Sequence, residues 1–169
     1  PPPRRPWWAL QGYIWGVIAM GAVSLAAALW FAPIREAFGP DAWAGYPSQG
    51  LVLSLLVITV IVGELRPVPV PRGGDVADMI TISTTFVLAL AIIGPISLAL
   101  LAQGIAVLID DAISRRSPLK IAFNVSQYVV TVMAAHTAYA LFAGVPVFSG
   151  YTIFDPVGGS GMGYRPLLG

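Results

Sequence analysis

The sequence predicts an all-α fold: a polytopic transmembrane helical bundle of about five spans, with its N-terminus cytoplasmic. Three observations predict it. Hydrophobic residues make up 57% of the 169 and charged residues 10%, with a mean hydropathy of +0.80, whereas a soluble domain is about one quarter charged. The apolar residues fall in runs close to the roughly 20 needed to cross a hydrocarbon core. The nine cations gather in the segments between those runs, where their placement sets orientation.

Residues 7–31 carry no charge and form span one. The stretch PIREAFGPDAWAGYP, 33–47, is a surface loop whose Trp43 and Tyr46 suit the headgroup level. Span two covers 48–65 and closes at Glu64. There the chain reads GELRPVPVPRGGD, 63–75, in which Pro67, Pro69 and Pro71 remove backbone donors and hold the backbone extended. This makes a stiff connector with a cation at each end. Between Asp78 and Asp110 lie 31 uncharged residues broken by Gly94-Pro95. One kinked span would divide the cations four against five. Two spans meeting in a turn at Gly94-Pro95 put Arg4, Arg5, Arg66, Arg72, Arg115, Arg116 and Lys120 on one side, against Arg35 and Arg165 on the other. The positive-inside rule selects the second arrangement, giving spans at 76–93 and 95–114. Residues 118–142 form span five, and the glycine-rich 144–169 is an outer tail. The chain therefore reads as a single integral membrane domain, 1–169. Its final RPLLG resembles the threshold of another apolar run, so a fragment lacking a sixth span and an output domain is expected.

Composition also excludes chemistry. With no cysteine there is no disulfide and no thiolate metal site, and a net charge of +1 gives no attraction to nucleic acid. DDAISRR, 110–116, has no second aspartate cluster to hold a metal diphosphate with it, and GGSGMG in the tail lacks the context and lysine of a phosphate loop. No serine, histidine and acid set is present. The sequence predicts no enzyme activity, no cofactor and no metal. Glu64 with Arg66, and Asp111 with Arg115, read as ion pairs at the inner interface. Gly12 and Gly16 make a small-xxx-small face on which helix one can approach a neighbour closely.

The candidate site is a polar layer inside the bundle. Asn124, Gln127 and Thr131 recur at steps of three and four on span five and so share a helical face, which should look inward because amides are costly against lipid. Gln103, with Thr81, Ser83, Thr84 and Thr85, supplies partners. Interhelical hydrogen bonding is the favoured reading of this layer, and a ligand pocket the other. His136, the single histidine, reads as a hydrogen-bonded structural residue ahead of a titrating or coordinating one, with Asp155 its nearest anionic candidate in sequence.

Three segments, GELRPVPVPRGGD, ISTTFVLALAIIGP (82–95) and FNVSQYVV (123–130), resemble the N-terminal membrane sensor regions of bacterial signalling proteins that carry GGDEF, EAL or HD-GYP cyclic-dinucleotide modules. The marks are the Glu-Leu-Arg-Pro run, the Ser-Thr-rich opening of span three, the Gly-Pro turn and the Phe-Asn-x-x-Gln of span five. The resemblance implies a sensory domain of the bacterial plasma membrane, without catalysis of its own, that biases a cytoplasmic output module. It carries over no active-site residue and names no ligand. The expected partners are the lipid bilayer and either a second copy or a larger membrane complex. The alternatives are a small-molecule binding subunit of a transporter and an accessory subunit that only packs against a larger complex.

Overall fold

The computed structural model describes residues 7–32, 34, 47–71 and 77–148. The expectations for Arg4, Arg5, Arg35, Trp43, Tyr46, Arg72, Asp155, Arg165 and the tail beyond 148 lie outside the described residues. The order is α1 (Trp7–Phe31), α2 (Pro47–Leu65), β1 (Val68–Pro71), β2 (Ala77–Ile80), α3 (Ser83–Ile93), α4 (Ile96–Ile113) and α5 (Pro118–Ala143). The protein is an all-α bundle with one short β-ribbon.

The ribbon corrects the expected start of span three at 76. Residues Ala77–Ile80 pair antiparallel with Val68–Pro71 in the register Val68↔Ile80 and Val70↔Asp78, and the third helix begins only at Ser83. The alternating prolines explain this. Successive backbone N–H groups of a strand point to opposite edges, so prolines at 67, 69 and 71 place every missing donor on one edge and leave Val68 and Val70 to serve the other.

Pairs of contacts fix the direction of each helix. Glu64 meets Ser83 and Leu53 lies against Gly94, so α2 and α3 are antiparallel. Ser83 and Gln103 converge on the same carboxylate, so the chain doubles back at Gly94-Pro95 as a helical hairpin. Gly94 suits that corner, because a Cβ there would stand 2.9 Å from Leu53 Cδ2 and 3.2 Å from the Leu90 carbonyl oxygen. Ser97 Oγ donates to the Ala32 carbonyl and Asn124 meets Asp111, which sets α4 against the direction of α1 and α5. Chain direction thus alternates through all five helices, and every described lysine and arginine, namely Arg66, Arg115, Arg116 and Lys120, sits at one end of the bundle.

Helix α4 is the axis, packed against each of the other four. Its Ile96, Leu98, Ala99, Leu100, Ala102 and Ala106 are core residues. Helices α2 and α3 cover one side of it, and α1 and α5 pack together on the other. The close approach on α1 occurs at Gly21, where a Cβ would lie 2.5 Å from Ser126 Cβ, and not at Gly12 or Gly16, which have nothing within 4 Å. The expected small-residue face therefore makes no contact among the described residues. One turn further along, the smallness of Gly21 and Ser126 does that work.

The core is apolar, but several polar groups are buried with it and many large apolar side chains face outward. Glu64, Ser83, Ser97, Gln103, Asp111 and His136 are buried, while Trp7, Trp8, Trp30 (82% exposed), Leu51, Leu55, Ile58, Val62, Leu141 and Phe142 (91%) face outward. Trp7–Phe31 and Ile96–Ile113 are long and apolar enough to cross a membrane; Gly50–Leu65 and Ser83–Ile93 are apolar but shorter. Helix α5 has 26 residues but carries Lys120, Asn124, Gln127 and His136.

Candidate functional site

Two polar centres lie within the bundle. The first is built on Glu64, 5% exposed. Along α2 the buried positions Leu53, Val60 and Glu64 are spaced by seven and four, so the carboxylate belongs to the helix's core face. Its Oε2 accepts from Ser83 Oγ, on the first residue of α3, and from Gln103 Nε2 of α4 at 3.2 Å. Gly63 permits the approach of α3, because a Cβ there would be 3.3 Å from the Ser83 nitrogen. The N-terminus of α3 adds a favourable partial charge for an anion. Gln103 is fully buried and its Oε1 has no hydrogen-bond partner. It stands seven residues from Ile96 and ten from Ile113, about 10 Å and 15 Å along the helix axis, and reaches the carboxylate where α2 ends and α3 begins.

The second centre is Asp111, 2% exposed, near the end of α4. It accepts from Asn124 Nδ2 at 2.8 Å and pairs with Arg116 Nη1 at 3.0 Å. The sequence had assigned Arg115 to this pair. Helix α4 stops at Ile113, so helical spacing no longer relates Asp111 to Arg115; that residue instead takes the left-handed conformation (φ 52°) that closes the helix. The Arg115 N–H then bonds to the Ala112 carbonyl and the Arg116 N–H to the Asp111 carbonyl, a Schellman closure with arginine where glycine is usual. The turn brings Arg116 back over the carboxylate.

Arg66 is exposed and, among the described residues, makes no ion pair with Glu64. The partners of Glu64 are neutral.

The expected single layer is thus divided. Gln103 and Ser83 go to Glu64, and Asn124 goes to Asp111. Gln127 and Thr131 lie on an exposed face, a correction with a geometric cause. At 100° per residue, the buried Ser126, Val129, Val132, His136 and Ala140 of α5 centre on the side opposite Gln127 and Thr131. The Thr131 hydroxyl is satisfied within its own helix by the Gln127 carbonyl at 2.8 Å, so facing outward leaves it no unmet bond. Thr84 and Thr85 are exposed and Thr81 is half-buried. His136 is buried and its Nε2 faces the Val147 carbonyl at 2.9 Å. It clasps the segment that turns away at Gly144 (φ 67°), whose Phe148 ring lies 5.2 Å from that of Phe31.

A separate groove of about 440 Å³ opens between α1, α4 and α5, lined by Ala22, Leu25, Leu108, Ile121 and Val125 among others. Apart from Ser126 its lining is apolar. Among the described residues no three acidic, histidine or cysteine side chains gather as a metal-binding set. Sequence reasoning missed Glu64 as a centre, although the seven- and four-residue spacing on α2 carried the signal.

Comparison with protein-family models, curated proteins and solved structures gives no match.

Proposed function

We propose that this chain is the membrane-embedded sensory domain of a bacterial signalling protein, crossing the plasma membrane five times with its N-terminus cytoplasmic and biasing a cytoplasmic output module without catalysis of its own. The observation that carries the reading is the buried Glu64 carboxylate, held by neutral donors from two other helices where α2 ends and α3 begins. An ionisable group buried in an apolar bundle is costly and marks function by default. It joins α2, α3 and α4, so a change in its charge or contacts alters the packing of the α2–α3 pair on the axial helix, the kind of two-state element that a signal can bias.

Three further facts support the reading. The outward surface is apolar, with tryptophans at both ends of α1, as aromatic belts require. Direction alternates through five helices, and the described cations share one end, in keeping with the positive-inside rule. Glu64, Ser83 and Asn124, which make the polar centres, come from the Glu-Leu-Arg-Pro, Ser-Thr and Phe-Asn-x-x-Gln segments that carry the resemblance to cyclic-dinucleotide sensor regions.

Topology is tested with single cysteines in a chain that has none. Arg66→Cys and Ser117→Cys should react from the cytoplasmic side and Gly144→Cys from outside; reaction of Ser117→Cys and Gly144→Cys from the same side refutes five crossings. Function is tested at the native locus, where Glu64→Gln and Gln103→Leu should fix cellular cyclic-dinucleotide levels high or low at unchanged amounts of inserted protein. Levels and responses identical to wild type in both variants would refute the sensory role, and co-purification of an energising partner would favour a transporter subunit.

A further inference from the structure

We propose that the Glu64 carboxylate, Ser83 Oγ and Gln103 Oε1 form a binding site for one small monovalent metal cation, with the charge and size of sodium. The carboxylate is held by neutral groups alone, and one unmatched acceptor lies beside it. Both hydrogen bonds to Glu64 end on Oε2 and come from neutral groups, and among the described residues no lysine, arginine or histidine forms an ion pair with it. Its partners are therefore neutral donors alone, and a protein interior relieves a buried charge by pairing or by metal coordination.

Gln103 adds an independent sign. Its amide turns Nε2 toward Glu64, which leaves Oε1 fully buried and without a donor. An acceptor this deep normally has a partner. The two features lie on adjoining side chains, and a cation beside the carboxylate, with the Gln103 amide turned so that Oε1 faces it, would meet both.

The donor set selects the guest. All the available atoms are hard oxygens, with no thiolate or imidazole, which disfavours zinc and copper. There is a single carboxylate and few ligands, whereas calcium takes six to eight oxygens, commonly from several carboxylates. One negative charge matches one positive charge. Ser83 Oγ and Gln103 Nε2 already touch Glu64, which favours a small dehydrated ion over an organic ammonium. The three ligands come from α2, α3 and α4, so occupancy would tie those helices together.

This inference deepens the sensory reading, and its test measures binding alone, so either can fail without the other. The purified chain in detergent is unfolded thermally in sodium chloride or in choline chloride, at equal ionic strength and pH. The midpoint should rise with sodium, each tenfold increase above the dissociation constant stabilising the fold tenfold, about 1.4 kcal/mol. Glu64→Gln, which keeps the shape and removes the charge, should be as stable in choline as wild type or more so, and should ignore sodium. Gln103→Leu, which keeps the charge, should need more sodium for the same shift. Sodium-23 line broadening should be present in wild type and absent in Glu64→Gln. Equal midpoints in sodium and choline overturn the proposal, as does a sodium response retained by Glu64→Gln. A midpoint that follows pH and ignores sodium assigns the centre to a proton and also overturns it.

Discussion

Gly21→Ala should loosen the bundle, although alanine is the better helix former. The added Cβ would lie 2.5 Å from Ser126 Cβ, 2.7 Å from Ser126 Cα and 2.9 Å from Ser126 Oγ, while carbon atoms pack at about 3.5–4.0 Å. Helix α1 must therefore withdraw from α5 by about 1 Å, a gap that forfeits a quarter to a half of the attraction at each contact it opens. Overpacking of this kind costs about 1–3 kcal/mol, and the gain in helix propensity returns at most about 1 kcal/mol. With the full return credited, the net loss should be up to about 2 kcal/mol. Gly12→Ala and Gly16→Ala are the controls: with nothing within 4 Å, they should be neutral or slightly stabilising. Adding Ser126→Gly to Gly21→Ala removes the Cβ and Oγ clashes but leaves the backbone Cα at 2.7 Å, so rescue should be partial and the double-mutant coupling favourable. Reversible unfolding in mixed micelles by titration with a denaturing detergent reads wild type, the three glycine variants, Ser126→Gly and the double variant. The reasoning is refuted if Gly21→Ala matches Gly16→Ala, or if the double variant regains full stability.

At the α4–α5 turn, Arg116→Gln should cost about 1 kcal/mol, nearer a surface pair's value than a buried one's because the guanidinium side chain is 39% exposed. Arg115→Gly should range from neutral to about 1 kcal/mol more stable, since it relieves a left-handed conformation; the same unfolding titration separates the two, and a larger loss for Arg115→Gly contradicts the assignment of Arg116 to Asp111. On α5, Asn124→Leu should cost about 1 kcal/mol by removing a donor from buried Asp111, whereas Gln127→Leu should stay within about 0.5 kcal/mol of wild type, as surface substitutions do. Equal losses in a thermal-shift comparison would contradict the outward placement of Gln127.

The sequence by itself determined the outline of this protein. Apolar runs bounded by charge set α1, α2, α4 and α5 to within about a residue, because each run is broken off by the charges and prolines that flank it. The count of cations on each side selected the hairpin at Gly94-Pro95 over a kinked span, since that count is a property of the chain and needs no coordinates. Tertiary structure decided the partners. Arg66 follows Glu64 by two residues, a spacing at which helical side chains do not face each other, and only the arrival of Ser83 and Gln103 from other helices identified the carboxylate's neighbours. Arg115 lost Asp111 to Arg116 because the helix had ended and the turn, not the helical period, aimed the side chain. Helix α5 offered two faces to the interior. The amide-bearing face of Gln127 and Thr131 was the more polar, but the face of Ser126 was the one small enough to meet Gly21. Close packing between two particular helices is a relation that neither helix carries alone.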